Sequence, residues 1–218
     1  MHNFTQLVRL GWNDYAMDTK AERIIQPEHS VLKMFSDLLI KSDNILDVGC
    51  GSGKPITEYF YKEGHKIQGL DISPHQAAKA ARIIGENMVA ISDMTNYDYP
   101  KIFYGGIICL HSLVHTERSH HVDILKKFHD ALKPGGLLLI SVNLDSKEGL
   151  YPLTSKIQMF YSHFDKNQTL TNIHAANFSI INSTEVIINN NKYLYIIAKK
   201  PERLVKENDT HILYSSVN

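Results

Sequence analysis

The sequence is poor in cysteine and contains no long apolar run. Only Cys50 and Cys109 are cysteines, which is too few for a disulfide framework and is typical of a reducing compartment. No segment approaches the roughly 18 consecutive apolar residues of a membrane span. The first residues also do not show a positively charged region followed by an apolar region, which is the pattern of a signal peptide. We therefore expect a cytoplasmic protein with no membrane partner.

The sequence also lacks an excess of charge of either sign. Its 23 lysine and arginine residues balance 23 aspartate and glutamate residues. No overall positive field attracts nucleic acid, and no basic run resembles a nucleic-acid-binding arm. We therefore expect no nucleic-acid partner. With 218 residues, the chain fits one domain, which we place at residues 1–200 before a polar tail at 201–218.

Glycine is concentrated where a buried strand turns into a helix. Residues 45–53 read ILDVGCGSG, a pattern that predicts a strand followed by a ligand-binding loop and a helix N-terminus. The dinucleotide fingerprint G-x-G-x-x-G would place its last glycine at Lys54. Asp47 would repel a pyrophosphate but suits a ligand with an ammonium group. The loop therefore favours a nucleotide-type ligand without phosphate.

A second acidic residue ends the next predicted strand. Asp71 is the last residue of the short predicted strand at 66–71, where a carboxylate can accept hydrogen bonds from both hydroxyls of a ribose. It could instead cap the following helix, but Ser73, Pro74 and Gln76 already form a capping pattern there. Further strands are predicted at 87–91, 106–110 and 137–142, with a terminal hairpin of 178–188 and 192–199 around 189–191. Alternating strands and helices of this kind predict a doubly wound α/β sheet.

With these motifs, residues 31–199 resemble class I S-adenosylmethionine-dependent methyltransferases. The resemblance implies a Rossmann-like doubly wound seven-stranded sheet in the order 3-2-1-4-5-7-6, with the last strand antiparallel. We expect an N-terminal helical cap at 1–30, built of loops and short helix over the pocket. The cofactor would be S-adenosylmethionine and the product S-adenosylhomocysteine, with no bound metal.

The resemblance also assigns roles to individual residues. The methionine moiety would be held by Asp47, Gly49, Cys50, Gly51 and Gly53. The ribose side would be held by Asp71 and Ile72, and the adenine by Asp93 and Met94. The sulfonium would be flanked by Leu110 and His111. Three segments, 113–115 (LVH), 133–136 (KPGG) and 159–165 (MFYSHFD), are similar to a bacterial group of small methyltransferases whose substrates are mostly unassigned.

The acceptor and the catalytic base are less defined by the sequence. Residues 143–165 are irregular in pattern and rich in large side chains, so we expect a substrate-cap insertion over a small, partly apolar acceptor. The candidate bases are His111, His115 and His163, because histidine can take a proton near neutral pH. We favour His115 or His163 as the residue that faces the acceptor, from their positions after the fourth strand and in the aromatic insertion. Each could instead orient a loop by hydrogen bonding.

Two other functions are compatible with the same motifs. The chain could be a non-catalytic S-adenosylmethionine-binding or partner protein, or an NAD-dependent oxidoreductase on a similar sheet, which Asp47 and the glycine spacing disfavour. The apolar faces are accounted for by one core, so a monomer and a weak homodimer are equally compatible with the sequence.

Overall fold

The computed structural model describes residues 4–17, 29–188 and 191–202. Most of the predicted polar tail, part of the predicted N-terminal cap and two residues of the predicted hairpin turn, Asn189 and Asn190, lie outside these ranges. In the described ranges, no helix has the length and apolar character needed to cross a membrane.

The chain alternates strands and helices along most of its length. The helices are α1 (Phe4–Met17), α2 (His29–Leu38), α3 (Ile56–Lys62), α4 (Pro74–Ile84), α5 (His121–Ala131) and α6 (Lys166–Ala175). The strands are β1 (Asn44–Val48), β2 (Lys66–Asp71), β3 (Val89–Ile91), β4 (Tyr104–Cys109), β5 (Leu132–Asn143), β6 (Lys147–Pro152), β7 (Gln158–His163), β8 (Ser179–Ile188) and β9 (Asn191–Lys199).

The main sheet has seven strands in the order β3-β2-β1-β4-β5-β9-β8. Strands β1 to β5 pair in parallel, whereas β9 is antiparallel to both β5 and β8. Since β8 and β9 occupy the places of the predicted sixth and seventh strands, the predicted order is confirmed. The sheet is therefore the Rossmann-like doubly wound sheet that the sequence predicts.

Helices cover both faces of this sheet, which explains why its central strands are apolar along their length. Every residue of β4 is buried. One core cluster joins the sheet to α5 and α6, through Phe128 and Ile173 among others. The other joins it to α2 and α3, through Phe35 and Phe60. This packing fixes the carboxyl ends of β1, β2 and β4, where the candidate site lies.

The predicted irregular structure at 143–165 is wrong, because this segment forms a second, two-stranded sheet. Strands β6 and β7 pair in antiparallel fashion, with Leu150 opposite Phe160. Met159 and Phe160 of β7 are buried against Val8 of α1 in a small apolar cluster, and this burial stabilises the hairpin. The N-terminal cap also differs from the expected loops and short helix, because α1 is a regular helix of 14 residues.

Candidate active site

A cavity of about 950 Å³ lies at the carboxyl ends of the central strands, under α1. This location is where ligands bind in open α/β sheets. Helix α1 contributes Phe4, Thr5, Val8, Trp12, Tyr15 and Ala16 to its wall, and the segment after β4 contributes Leu110, His111, Ser112, His115, Thr116, Glu117 and His120. The rest of the wall comes from the ends of β1 and β2, the glycine loop, the start of α3, one side of α4 and the segment after β3. Helix α1, the described part of the predicted cap, therefore lines this cavity.

The glycine loop is held tightly on one side and open on the other. The backbone N–H groups of Gly49 and Cys50 both donate to the Leu70 carbonyl, at 2.7 and 3.1 Å. Gly49 has φ 73°, and a Cβ there would lie 2.1 Å from Ser112 Oγ. Gly51 has φ 57°, and a Cβ there would meet no atom within 4 Å. Because Gly51 lines the cavity, a ligand can approach its bare backbone.

Asp71 joins this loop to the start of α4. Its Oδ2 accepts the N–H of Gly51 and its Oδ1 accepts the N–H of Ser73, both at 2.8 Å. Burial raises the pKa of this carboxyl to about 6, against the opposing effect of the backbone donors. Ser73 also accepts the N–H of Gln76, as the capping pattern predicts. The carboxylate is therefore fixed at the edge of the cavity.

Asp47 is buried more deeply than a residue at the pocket mouth. It is 3% exposed, and its Oδ2 accepts a hydrogen bond from Thr57 Oγ1 at 2.6 Å. Burial raises its pKa to about 7, assisted by the charge of Asp71 and opposed by the Thr57 hydrogen bond. Asp47 nevertheless contributes to the cavity wall, where an ammonium group would favour its ionised form.

The predicted adenine-binding residues lie after β3. Asp93 Oδ1 accepts the N–H of Thr95 at 2.8 Å, and Tyr99 Oη donates to the Met94 carbonyl at 3.0 Å. Both Asp93 and Met94 line the cavity. These hydrogen bonds fix the loop that carries Asp93 and Met94.

His111 has a strained backbone and a buried partner. Its φ is 56°, a conformation that is uncommon for a residue other than glycine. Its N–H donates to Ser141 Oγ at 2.9 Å, and its Nε2 lies 2.6 Å from Tyr195 Oη. Sequence reasoning missed Tyr195, because nothing distinguishes it from the other apolar residues of β9.

The structure brings His115 to the cavity but not His163. His115 Nδ1 lies 2.8 Å from the Phe160 carbonyl, which can only accept, so in the neutral ring Nε2 carries the lone pair. His163 Nδ1 donates in the same way to the Asp145 carbonyl at 2.7 Å. The His163 ring is 1% exposed, does not line the cavity, and has a pKa lowered by burial.

Sequence reasoning also missed part of the cavity wall. Gln76 was assigned only a capping role, and Val8, Thr116 and Glu117 were given no role, although all of them line the cavity. The helical spacing of Phe4, Val8 and Trp12 is a signal that could have identified the covering face of α1.

Comparison with known proteins identifies the family of this chain. A family model described as a methyltransferase domain matches residues 17–181. A 27-O-demethylrifamycin SV methyltransferase of Amycolatopsis mediterranei is 27% identical over 104 residues, which cover 45% of this chain and 38% of that protein. An uncharacterized protein of Methanocaldococcus jannaschii is 31% identical over 134 residues, or 58% of this chain and 35% of that protein. The chain thus spans little more than a third of the length of these two relatives.

Solved structures share the fold over nearly the whole chain. The 1,6-didemethyltoxoflavin-N1-methyltransferase of Burkholderia thailandensis, solved with 1,6-didemethyltoxoflavin and S-adenosylhomocysteine, has a TM-score of 0.71 at 23% identity, covering 92% of this chain and 90% of that one. The magnesium protoporphyrin IX methyltransferase of Synechocystis PCC 6803, solved with S-adenosylmethionine, has a TM-score of 0.70 at 16% identity, covering 92% and 98%. The family match and the strand order together show that this chain belongs to the methyltransferase domain family and has the class I S-adenosylmethionine-dependent methyltransferase fold.

Proposed function

We propose that this protein transfers a methyl group from S-adenosylmethionine to a small-molecule acceptor. The observation that carries this proposal is the convergence of the glycine loop, Asp71, Asp93 and His115 on one cavity of about 950 Å³. Ligand pockets typically measure about 300–1,000 Å³, so this one has room for a cofactor and a small acceptor. The rifamycin and toxoflavin methyltransferases among its relatives, named for small molecules, support the same reading.

The cavity fits the cofactor in several places. The open space beside Gly51 accommodates a ligand against the backbone, and Asp47 lies where it could face the ammonium of the methionine moiety. Asp71 with Ile72 would hold the ribose, and Asp93 with Met94 the adenine. Leu110 and His111 would flank the sulfonium, and Gly49 and Cys50 would contribute to the methionine side. Gly53 does not line the cavity; it faces α4, where a Cβ would lie 3.1 Å from Ala80 Cα.

When bound, the cofactor supplies a methyl group that is already activated by its sulfonium. The protein therefore has mainly to place an acceptor atom in line with the S–CH3 bond, at about 3 Å. His115 would orient this acceptor or take a proton from it, since its Nδ1 is held by the Phe160 carbonyl and its Nε2 is the basic nitrogen. His163 has no such access to the cavity.

The wall near His115 indicates the character of the acceptor. Phe4, Val8 and Trp12 of α1 face the cavity there, so they favour a partly apolar molecule. We propose that residues 1–200 form one methyltransferase domain that acts on such a molecule rather than on nucleic acid, as a monomer or a weak homodimer. Within this domain, α1 is the substrate-covering part, and the β6–β7 hairpin, of which no residue lines the cavity, supports α1 from behind.

Calorimetric titration with S-adenosylhomocysteine tests the proposal. We expect micromolar binding to the wild type, weakened about tenfold or more (about 1.4 kcal/mol) in Asp71→Ala, because the ribose hydroxyls lose their acceptor. NAD is the control ligand and should not bind. Binding of NAD without binding of S-adenosylhomocysteine would contradict the proposal and favour a dinucleotide enzyme.

A further inference from the structure

His111 is held by two buried polar side chains of the main sheet. Its N–H donates to Ser141 Oγ at 2.9 Å, and its Nε2 lies 2.6 Å from Tyr195 Oη. Ser141 of β5 and Tyr195 of β9 are fully buried and lie directly opposite each other across the strand pair. Residues opposite each other in an antiparallel pair point to the same face of the sheet. Ser141 and Tyr195 therefore form a polar clamp, and the residue that the clamp holds is His111.

The clamp acts on a residue with an unfavourable backbone. The φ of His111 is 56°, and a residue other than glycine persists there only when its surroundings determine its position. Burial of a polar side chain in a sheet core is also unfavourable unless the side chain is hydrogen-bonded. Ser141 and Tyr195 form such hydrogen bonds with His111, which lines the cavity. Backbone strain and buried polar groups thus meet at one point of the wall, where the proposed cofactor would carry its sulfonium.

The hydrogen bond between Tyr195 and His111 has a defined direction. The Tyr195 hydroxyl is buried, and within the described ranges its only hydrogen-bond partner is His111 Nε2. A buried phenol needs an acceptor for its proton, so Tyr195 donates and Nε2 accepts. The neutral His111 ring then carries its own proton on Nδ1. Because a donor occupies the Nε2 lone pair, the ring cannot take up a second proton without breaking this bond.

We propose that Tyr195 is a positioning residue for methyl transfer, which keeps His111 fixed and neutral beside the sulfonium of S-adenosylmethionine. This inference rests on the proposed function, because it requires the same cofactor. A charged imidazole at this point would repel the sulfonium, since both carry a positive charge. S-adenosylhomocysteine has a neutral thioether in place of the sulfonium, so it would not be repelled. The same hydrogen bond excludes His111 as the base and leaves that role to His115.

Other titratable groups lie around the His111 ring. Tyr193 and Tyr195 face it from β9, with ring centroids 4.7 and 5.7 Å away. Asp47 lies on the cavity wall at the end of β1, and His115 lies on the wall after β4. S-adenosylmethionine and S-adenosylhomocysteine share the ammonium that Asp47 would face, so the ratio of their affinities isolates the charge on sulfur. Asp47 and His115 are also the same in the wild type and in a Tyr195 variant.

The test measures both affinities by calorimetry from about pH 8 to about pH 5.5, where histidine ordinarily titrates. Tyr195→Phe keeps the buried ring but removes the hydroxyl that occupies the Nε2 lone pair. We expect its preference for S-adenosylmethionine over S-adenosylhomocysteine to fall roughly 3- to 10-fold relative to the wild type as the pH is lowered. The matched control is Tyr104→Phe, which removes a buried hydroxyl that lies outside the cavity wall and donates to Gln68 Oε1 at 3.0 Å. This control should behave as the wild type does.

A double variant and a spectrum assign the effect to His111. Adding His111→Asn to Tyr195→Phe should restore the pH dependence of the wild type, because asparagine tolerates a positive φ and takes up no proton. Nitrogen NMR of protein with isotope-labelled histidine rings should show a neutral wild-type His111 with its proton on Nδ1. In Tyr195→Phe this single tautomer should be lost, whereas it should persist in Tyr104→Phe. A purely structural role of Tyr195 would lower the Tm without these changes.

The outcomes separate this inference from the proposed function. If the wild type binds both ligands and Tyr195→Phe changes the preference no more than Tyr104→Phe does, the proposed function stands and the role of Tyr195 is wrong. A wild-type His111 with its proton on Nε2 would also overturn that role, and this measurement decides the matter if Tyr195→Phe does not fold. If the wild type binds neither ligand, both proposals fail.

Discussion

His115 and Trp12 form a contact that makes the candidate base observable before any acceptor is known. Their rings meet edge-on, with centroids 5.3 Å apart and planes at 83°. Trp12 is the only tryptophan in the sequence, so the indole fluorescence of the protein reports on this part of the cavity wall.

We predict that His115→Gln changes the intensity of the tryptophan emission at fixed pH, because it removes the imidazole ring that meets Trp12 edge-on. His163→Gln should leave the emission unchanged, since His163 does not line the cavity. Steady-state fluorescence measures both variants, and identical spectra for the wild type and His115→Gln would contradict the contact.

Asp47 and Asp71 give the cofactor site a defined dependence on pH. Burial raises their pKa values to about 7 and about 6 in the free protein, so each carboxyl binds a proton there more readily than in water. A cofactor ammonium beside Asp47 favours the carboxylate and lowers this pKa again. Binding should therefore release protons below about pH 7.

We predict that the affinity for S-adenosylhomocysteine rises as the pH increases through about 6 and 7 and then levels off. The sign follows from linkage, since the free protein holds more protons than the complex. Calorimetry in buffers of different ionisation enthalpy measures the protons released. In Asp47→Asn the upper part of the rise should be absent, and an affinity that decreases with pH in the wild type would contradict the assignment.

At the scale of elements, the β6–β7 hairpin is joined to the segment that carries His115. Ser162 Oγ of β7 accepts the N–H of Arg118 at 2.8 Å and donates to Glu148 Oε2 of β6 at 2.9 Å. Arg118 also forms an ion pair with Glu148 at 2.6 Å.

Phe160, whose carbonyl is the partner of His115, stacks on Phe4 of α1 with ring centroids 4.1 Å apart. These contacts couple the hairpin, α1 and the candidate base.

We predict that Ser162→Ala lowers the free energy of unfolding by about 1–2 kcal/mol, because it removes two hydrogen bonds of a fully buried hydroxyl. Urea denaturation measures this as a lower midpoint with an unchanged slope. Amide exchange should become faster in β6 and β7. The exposed Ser179→Ala is the control, with an expected change within about 0.5 kcal/mol, and an equal effect of both variants would refute the role of Ser162.

At the scale of the whole molecule, the cofactor should stabilise the fold by binding only the native state. The cavity is built from α1, the glycine loop and the segments after β2, β3 and β4, so it does not exist in the unfolded chain. At a free concentration of about 100 times its Kd, a ligand adds about 2.7 kcal/mol.

We therefore predict that S-adenosylhomocysteine at this concentration raises the Tm of the 218-residue chain by about 5–10 °C. Differential scanning fluorimetry measures the shift. NAD at the same concentration should leave the Tm unchanged. A Tm that responds to neither ligand would contradict the cofactor assignment for the whole domain.

Much of the fold was predictable because it depends on local patterns. The apolar run of β4 and the glycine-rich turn after β1 are each compatible with few other local structures. The hairpin at 147–163 was not predictable in the same way, because its strands are stabilised by contacts with α1, as for Met159 against Val8. Isolated hairpins are marginal in water, so their sequences need not carry a strong signal of their own.

The sequence by itself determined the order of the elements, the glycine loop and the acidic residues at the strand ends, because periodicity and backbone sterics act over a few residues. Only the tertiary structure decided that His115 and not His163 lines the cavity, that Asp47 is buried beside Thr57, and that His111 meets Tyr195, 84 residues away. Within the described ranges, it also left the buried carboxamide oxygen of Gln76 without a hydrogen-bond partner. The environment of these side chains comes from segments distant in sequence, and no local pattern specifies it.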